Sequence, residues 1–338
     1  MIKIAIYGAG SLGTVLGAFI TKAGFTVDLI NHNKAHVAEL NNSGAHITGK
    51  IDLQVKVHAL TPDEMQGKYN VIFLTTKVIN NHDTVVKLNG FLEDDGIICT
   101  IQNGIPEYGV ASVIGADRTI GCAIAWGAEM IEPGVCKLTS DIDACTFSLG
   151  SIGSVQDKDM QLVKKLLQTM GRVEIDDNFI GARFTKLLIN SAFSGLSALT
   201  GMNFGEIADN KVSRLYAQKI IKECIMVGHA NGIKFAKIQG KDIVKLLDYS
   251  SKIKQKIGLM IIPLAIKKHR SITASMLQDL KRNKPCEIDA INGVVCDYAR
   301  AANLEVPYNK KVVEIVKRIE KGELKPDIQN LVLFKDIN

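Results

Sequence analysis

The sequence predicts an α/β fold in two parts: a doubly wound parallel sheet over residues 1–177, then an all-helical domain over 178–338. Three observations carry that expectation. "IKIAIYGAGSLG" sets three glycines in GxGxxG spacing directly after a β-branched strand and ahead of an amphipathic helix. Further β-rich runs recur at strand–helix–strand spacing as far as about residue 152. After "GRVEIDDN" (171–178) the alternation stops and long helical periodicity takes over.

In the front half, each glycine of the motif has its own task. Gly8 permits the tight turn, Gly10 lets the backbone approach a pyrophosphate, and Gly13 lets the helix pack on the sheet. With Ala9, Ser11 and Leu12 they form a Rossmann-type dinucleotide loop, and a helix from Ser11 to Ala23 would aim its leading amides at the phosphates. The second strand, "FTVDLIN", carries Asp28 inside it rather than at its tip. The tip offers Asn31, His32, Asn33 and Lys34, with no carboxylate to repel a 2′-phosphate and with Lys34 able to pair with one. This favours NADP(H) and leaves NAD(H) open. Strands are expected at 70–77, 96–104, 118–128 and 144–152. Two of their ends bear polar groups where parallel sheets bind ligands: Lys77 after "LTT", and Gln102-Asn103-Gly104 after "CTI".

In the rear half, "IGARFTKLLINSAFSGLSALTG" (180–201) is largely apolar, interrupted by Lys186, Asn190 and Ser194 at i, i+4 and i+8 on one helix face. A lysine in such a buried helix needs a partner or a task. Later, "ITASMLQDLKRN" (272–283) reads as one helix. Pro285 starts another, with Glu287 in its first turn, where a carboxylate suits the helix dipole whatever else it does. "IGLMIIPLAI" (257–266) is too short for a membrane span, contains Pro263, and reads as a buried segment.

Composition narrows the function classes. At 338 residues, 46% hydrophobic and 22% charged, the chain is an ordinary globular one with room for two domains. A net charge of +6, spread without a basic run, suits anionic small molecules and argues against nucleic acid. Seven scattered cysteines without a CxxC pair indicate neither a zinc site nor a disulfide framework, and fit a reducing cytoplasm. The first residues run straight into a strand, with nothing resembling a signal peptide and no membrane span. His36 and the other histidines show no catalytic or metal spacing, and Trp126 reads as core or cleft wall.

Taken together, GAGSLG, "TTK", "QNG", "FTKLLIN", "ANLEVPYN" and above all "SMLQDLKRNKPCEIDAING" (275–293) resemble the ketopantoate reductases (2-dehydropantoate 2-reductases) over nearly the whole chain. The resemblance implies NADPH-dependent reduction of 2-dehydropantoate to D-pantoate in pantothenate biosynthesis. It makes Lys186 the general acid and Glu287 its acidic partner, the latter also at the cofactor. Asn103 falls near nicotinamide and substrate, Lys77 at the cofactor edge, and Asn190 and Ser275 on substrate. Departures also stand out: Ser194 where members often have a second asparagine, Phe184 for a tryptophan, Cys286 for a threonine, Ile272 for an asparagine, and His32 for the arginine that grips the 2′-phosphate. They keep a second reading open, an NAD-dependent D-2-hydroxyacid dehydrogenase of the same family acting on a bulky apolar 2-oxo acid. A non-catalytic dinucleotide-binding redox sensor is a third, disfavoured because a sensor has no use for the Lys186–Glu287 pair. The expected partner is a small 2-oxo acid, with no nucleic acid or membrane, and a homodimer through the helical domain is possible.

Overall fold

The computed structural model describes residues 2–237 and 242–337. The chain divides into two compact units, Met1–Phe179 and Ile180–Asn338.

The strands of the first unit are β1 (Ile4–Tyr7), β2 (Val27–Ile30), β3 (Ala45–Gly49), β4 (Leu53–Val55), β5 (His58–Leu60), β6 (Tyr69–Leu74), β7 (Leu92–Thr100), β8 (Thr119–Ile124), β9 (Ala128–Glu132), β10 (Val135–Leu138), β11 (Thr146–Ser151) and β12 (Arg172–Ile175). Its helices are α1 (Ser11–Lys22), α2 (Lys34–Ser43), α3 (Asn81–Asn89), α4 (Glu107–Ile114) and α5 (Asp157–Leu167). Eight strands form one sheet in the order β12-β11-β8-β7-β6-β1-β2-β5. Both of its faces are covered, and the strands show why. Ile4 and Ile6, Val71 and Phe73, and Ile97 and Cys99 enter one core cluster, while Ala5, Ile72 and Leu74, and Ile98 enter the other. Apolar side chains on both sides of the pleat are the mark of a sheet wound with helices on each face.

Two features depart from the expected all-parallel arrangement. From β5 to β8 neighbouring strands pair in parallel, but β11 runs antiparallel to β8, with β12 parallel to β11. The cause is the connection. No helix crosses back between β8 and β11. Instead the run read as one strand at 118–128 ends at Ile124, and β9 and β10 leave for a second sheet of order β4-β3-β10-β9. A parallel return needs a crossover, and without one the strand comes back antiparallel. The small sheet packs on α1. That helix therefore buries Gly13 through Ala18 and Ile20 between two sheets.

The second unit continues from α6 (Phe179–Ile189) through a π-helical turn at Asn190–Ser194 into α7 (Gly195–Thr200). There follow α8 (Phe204–Asp209), α9 (Lys211–Ala230), α10 (Ile243–Leu247), α11 (Lys252–Ala265) and α12 (Ser275–Lys281). A second π-turn at Asp289–Gly293 leads into α13 (Val294–Ala301), and α14 (Pro307–Glu320) precedes a closing 3-10 segment, Ile328–Phe334. Pro307 occupies the first turn of α14, where its missing N–H costs nothing.

The segment expected to be buried, 257–266, is not. In α11 Ile253 is 73%, Ile257 50%, Met260 75% and Leu264 72% exposed, while Gly258 and Ile262 are buried. One face of the helix packs on its neighbours α8, α9 and α10, and a second apolar stripe faces outward. Among the described residues no helix is long and apolar enough to cross a membrane.

Candidate active site

The nucleotide side is built from four loops at the carboxyl ends of the adjacent strands β2, β1, β6 and β7, paired Ile30 to Tyr7, Tyr7 to Leu74 and Leu74 to Thr100. Gly8 leaves β1 at φ +96°, and a Cβ there would lie 2.5 Å from the backbone nitrogen of Thr76, so both conformation and space demand glycine. The amides of Gly8 and Ala9 donate to Ile30 O at 3.0 and 2.8 Å. Within α1 no side chain caps the N-terminus and no acid occupies the first turn, an end ready for an anion.

The Ala9 carbonyl is held by three side chains: Asn31 Nδ2 at 2.7 Å, Thr14 Oγ1 at 3.0 Å and His36 Nε2 at 3.1 Å. His36 is fully buried, and its Nδ1 accepts from the Gly134 amide at 3.0 Å. Nε2 therefore carries the proton that goes to Ala9. Burial pushes the imidazole pKa down, which keeps it neutral. His36 is thus a fastening of the phosphate loop, a role its sequence position concealed.

At the tip of β2 the four polar residues separate into two kinds. Asn31 is spent on Ala9 and on the Asn33 amide (2.8 Å), and Asn33 caps α2 by accepting from Ala35 N and His36 N at 3.1 and 3.3 Å. His32 and Lys34 are exposed, and no acid stands among residues 31–34. Lys77 is exposed in the loop after β6. Asn103 is half-buried beside Gly104, whose φ is +78°. Gln102 ties these two loops together, donating through Nε2 to Asn81 Oδ1 at 2.8 Å and accepting from Thr100 Oγ1 at 2.9 Å.

In the helical unit the predicted seam is present, with a correction. Of residues 181–200, all but Ala182, Lys186, Ile189, Asn190 and Ser194 are buried. The helix is buried, as expected, but Lys186 is half-buried on its one open stripe. The wider π-turn, closed by Gly195 N on Asn190 O, brings residues four apart nearer to alignment than an α-helix would. Phe184, on the opposite side, is fully buried edge-on to Tyr298 at 5.0 Å and Phe235 at 6.3 Å.

The π-turn packs against α12 and against the second π-turn. The elements carrying Asn190, Ser194 and Ser275 therefore come together, and Glu287 lies two residues before the second π-turn. Ser275 is exposed in the first turn of α12, whose Met276, Leu277 and Leu280 anchor it. Glu287, 8% exposed, sits just before the next helix, its carbonyl accepting from Ala290 N and Ile291 N at 3.0 and 3.1 Å. The Cys286 thiol is pushed up to about 12, by burial first and then by Glu320, which makes it packing rather than a nucleophile. Sequence reasoning missed Glu223, Asn292 and Asn309, all buried beneath the seam. The Asn after Pro307 in "VPYN" was the nearest thing to a signal.

A glycine cradle at the switch point between β1 and β6, where the strand order reverses, and a lysine-bearing polar stripe on a helical unit fit an oxidoreductase that uses a nicotinamide dinucleotide. Residues 4–151 match the family described as ketopantoate reductase PanE/ApbA, and residues 178–320 match ketopantoate reductase PanE/ApbA C terminal. The chain belongs to the ketopantoate reductase family. It is 29% identical to the 2-dehydropantoate 2-reductase of Pyrococcus horikoshii over 94% of this chain and 97% of that one, and 24% identical to that of Aquifex aeolicus over 96% and 99%. Among solved structures, a ketopantoate reductase of the PanE/ApbA family from Ralstonia eutropha JMP134 shares the fold with a TM-score of 0.80 at 24% identity, covering 95% of this chain and 99% of that one. D-mandelate dehydrogenase with NADH and anilino(oxo)acetate does so with 0.81 at 20%, with the same coverage.

Proposed function

We propose that this protein reduces 2-dehydropantoate to D-pantoate with NADPH, a cytoplasmic step of pantothenate biosynthesis, with residues 1–177 serving the nucleotide and 178–338 the oxo acid. The observation that carries the reading is the stripe of Lys186, Asn190 and Ser194, the polar openings of an otherwise buried helix. The names of the curated relatives support the substrate.

The residues present fit the dinucleotide. The loop is open at Gly10, where a Cβ would meet nothing nearer than the Gly8 carbonyl at 3.8 Å; beside Gly8 and Ala9, the first amides of α1 (Ser11, Leu12, Gly13) would hold the phosphates, and His32 and Lys34 would offer donors to a 2′-phosphate. Lys77 and Asn103 border the nicotinamide end. When bound, reduced nicotinamide supplies hydride to the C2 carbonyl carbon of the oxo acid. Lys186 donates its Nζ proton to the carbonyl oxygen as negative charge develops there, and its ammonium stabilises that charge beforehand. Glu287 orients Lys186. Ser275 binds the substrate carboxylate, while Asn190, Ser194 and Asn103 bind its other oxygens.

A second reading has its own observation. Ile272, 41% exposed three residues before Ser275, presents an apolar surface, and with Ser194 and His32 it favours NADH and a bulky apolar 2-oxo acid. Following NADPH and NADH oxidation with 2-dehydropantoate and with apolar 2-oxo acids separates the two. Lys186→Ala is expected to lower kcat by about 10²- to 10⁴-fold while nucleotide binding persists. Wild-type protein that binds nucleotide yet turns over no oxo acid would identify a sensor instead.

A further inference from the structure

A chain of buried hydrogen bonds runs from the first π-turn to a carboxylate two helices away. Ser191 lies inside the first turn and Asn292 inside the second. Asn292 Nδ2 donates to the Ser191 carbonyl at 3.0 Å and to Asn309 Oδ1 at 2.9 Å. Asn309 Nδ2 donates in turn to Glu223 Oε2 at 2.7 Å, and the amides of Tyr308 and Asn309 reach the same carboxylate at 2.9 Å each. Those amides belong to the first turn of α14, which leaves them without helical acceptors. Glu223, from α9, therefore caps α14 and fixes Asn309, which fixes Asn292, which holds the backbone of the π-turn.

Burial makes each link consequential. Ser191, Asn292 and Asn309 have no exposure, and Glu223 has 7%. Asn292 Oδ1 has no hydrogen-bond partner among the described residues, so the amide is kept for its two donors despite an orphaned oxygen. It also lies flat on the helix just past the turn: a Cβ on Gly195 would stand 2.8 Å from Asn292 Oδ1. Single π-turns inside α-helices are uncommon, and they persist where surrounding contacts determine them.

We infer that Glu223, Asn309 and Asn292 are positioning residues for the substrate groups: through the Ser191 carbonyl they hold the 190–194 turn in its wide form and keep Asn190 and Ser194 on the Lys186 face. What the turn positions rests on the proposed function; the holding of the turn does not.

The test is Asn292→Leu in the full chain, which keeps the volume and removes both donors. Amide hydrogen exchange reads the turn directly, and exchange at 190–194 is expected to rise while the rest of the chain keeps its protection. In turnover, KM for the oxo acid rises about ten- to a hundredfold with KM for the nucleotide unchanged. A double-mutant cycle with Asn190→Ala adds a readout that a merely structural role would not move: once Asn190 is gone, Asn292→Leu costs little more. Unchanged exchange at 190–194, or effects of the two substitutions that simply multiply, overturns the inference. Should Asn292→Leu not fold, Glu223→Gln is measured in the same way, with the same outcomes deciding. Wild-type protein that reduces no 2-oxo acid would sink the functional reading alone, since the exchange result still decides whether the network holds the turn.

Discussion

Replacing His36 by leucine tests how the phosphate loop is fastened. Leucine fills a similar space and cannot hydrogen-bond, so the Gly134 amide, which now donates to His36 Nδ1 at 3.0 Å, is left buried without its acceptor. An orphaned buried donor costs about 1–3 kcal/mol. The Ala9 carbonyl loses one donor but keeps Asn31 at 2.7 Å and Thr14 at 3.0 Å, which limits the further loss to about 1 kcal/mol. A total of about 2–4 kcal/mol lowers the melting temperature by about 5–12 °C in a unit of this size. The pH dependence has a definite sign. Burial lowers the His36 pKa below the ordinary 6.5, so as pH falls through 6.5 the unfolded chain takes up a proton that the native chain refuses. Wild-type protein therefore loses stability toward lower pH through this group, and His36→Leu does not. Thermal unfolding of both proteins at pH 7.5 and pH 5.5 should show the gap between them narrowing at the lower pH, and nucleotide titration should show weaker binding by the variant. Equal melting temperatures at pH 7.5, or a gap that widens on acidification, would refute the assignment.

Gly8→Ala puts a side chain at φ +96° and 2.5 Å from Thr76 N, and is expected to cost about 2–4 kcal/mol and to abolish nucleotide binding. Gly24→Ala is its control: φ is +89° with no atom within 4 Å, so only the backbone strain, about 1–2 kcal/mol, should appear in the unfolding curve and nucleotide binding should persist. Glu223 has its carboxyl pushed up to about 7, chiefly by burial and against the pull of its N–H donors. Between 4.5 and about 7 the native chain keeps a proton that the unfolded chain has released, so wild-type stability falls with rising pH across that window by up to about 3 kcal/mol relative to Glu223→Gln. Denaturant unfolding of the two proteins at pH 5 and pH 8 checks this, and a difference moving in the wild type's favour at pH 8 would show that the donors outweigh burial.

The candidate site was legible in the sequence wherever the proposed roles follow local spacing. Gly8, Gly10 and Gly13 stand together because a turn, a close approach and a helix contact must occur within six residues. Lys186, Asn190 and Ser194 stood out because polar residues at i+4 interrupt an apolar helix. Even there the reading was incomplete, since no residue pattern announced that 190–194 would be a π-turn rather than an α-helix.

By itself, then, the sequence determined the two-part architecture, the phosphate loop, the polar stripe and the family, all of which rest on periodicity or on residues adjacent in the chain. Tertiary structure alone decided the antiparallel return of β11, the small sheet over α1, the outward apolar stripe of α11 and the assignment of Asn31 and Asn33 to structural work. It also decided the residues that hold the site. His36 meets Gly134 across 98 positions, Asn309 meets Glu223 across 86, and Asn292 meets Ser191 across 101. A hydrogen bond between residues so far apart imposes no spacing on either neighbourhood, so such a partner becomes visible only when folding has buried both ends and left each polar group to find its match.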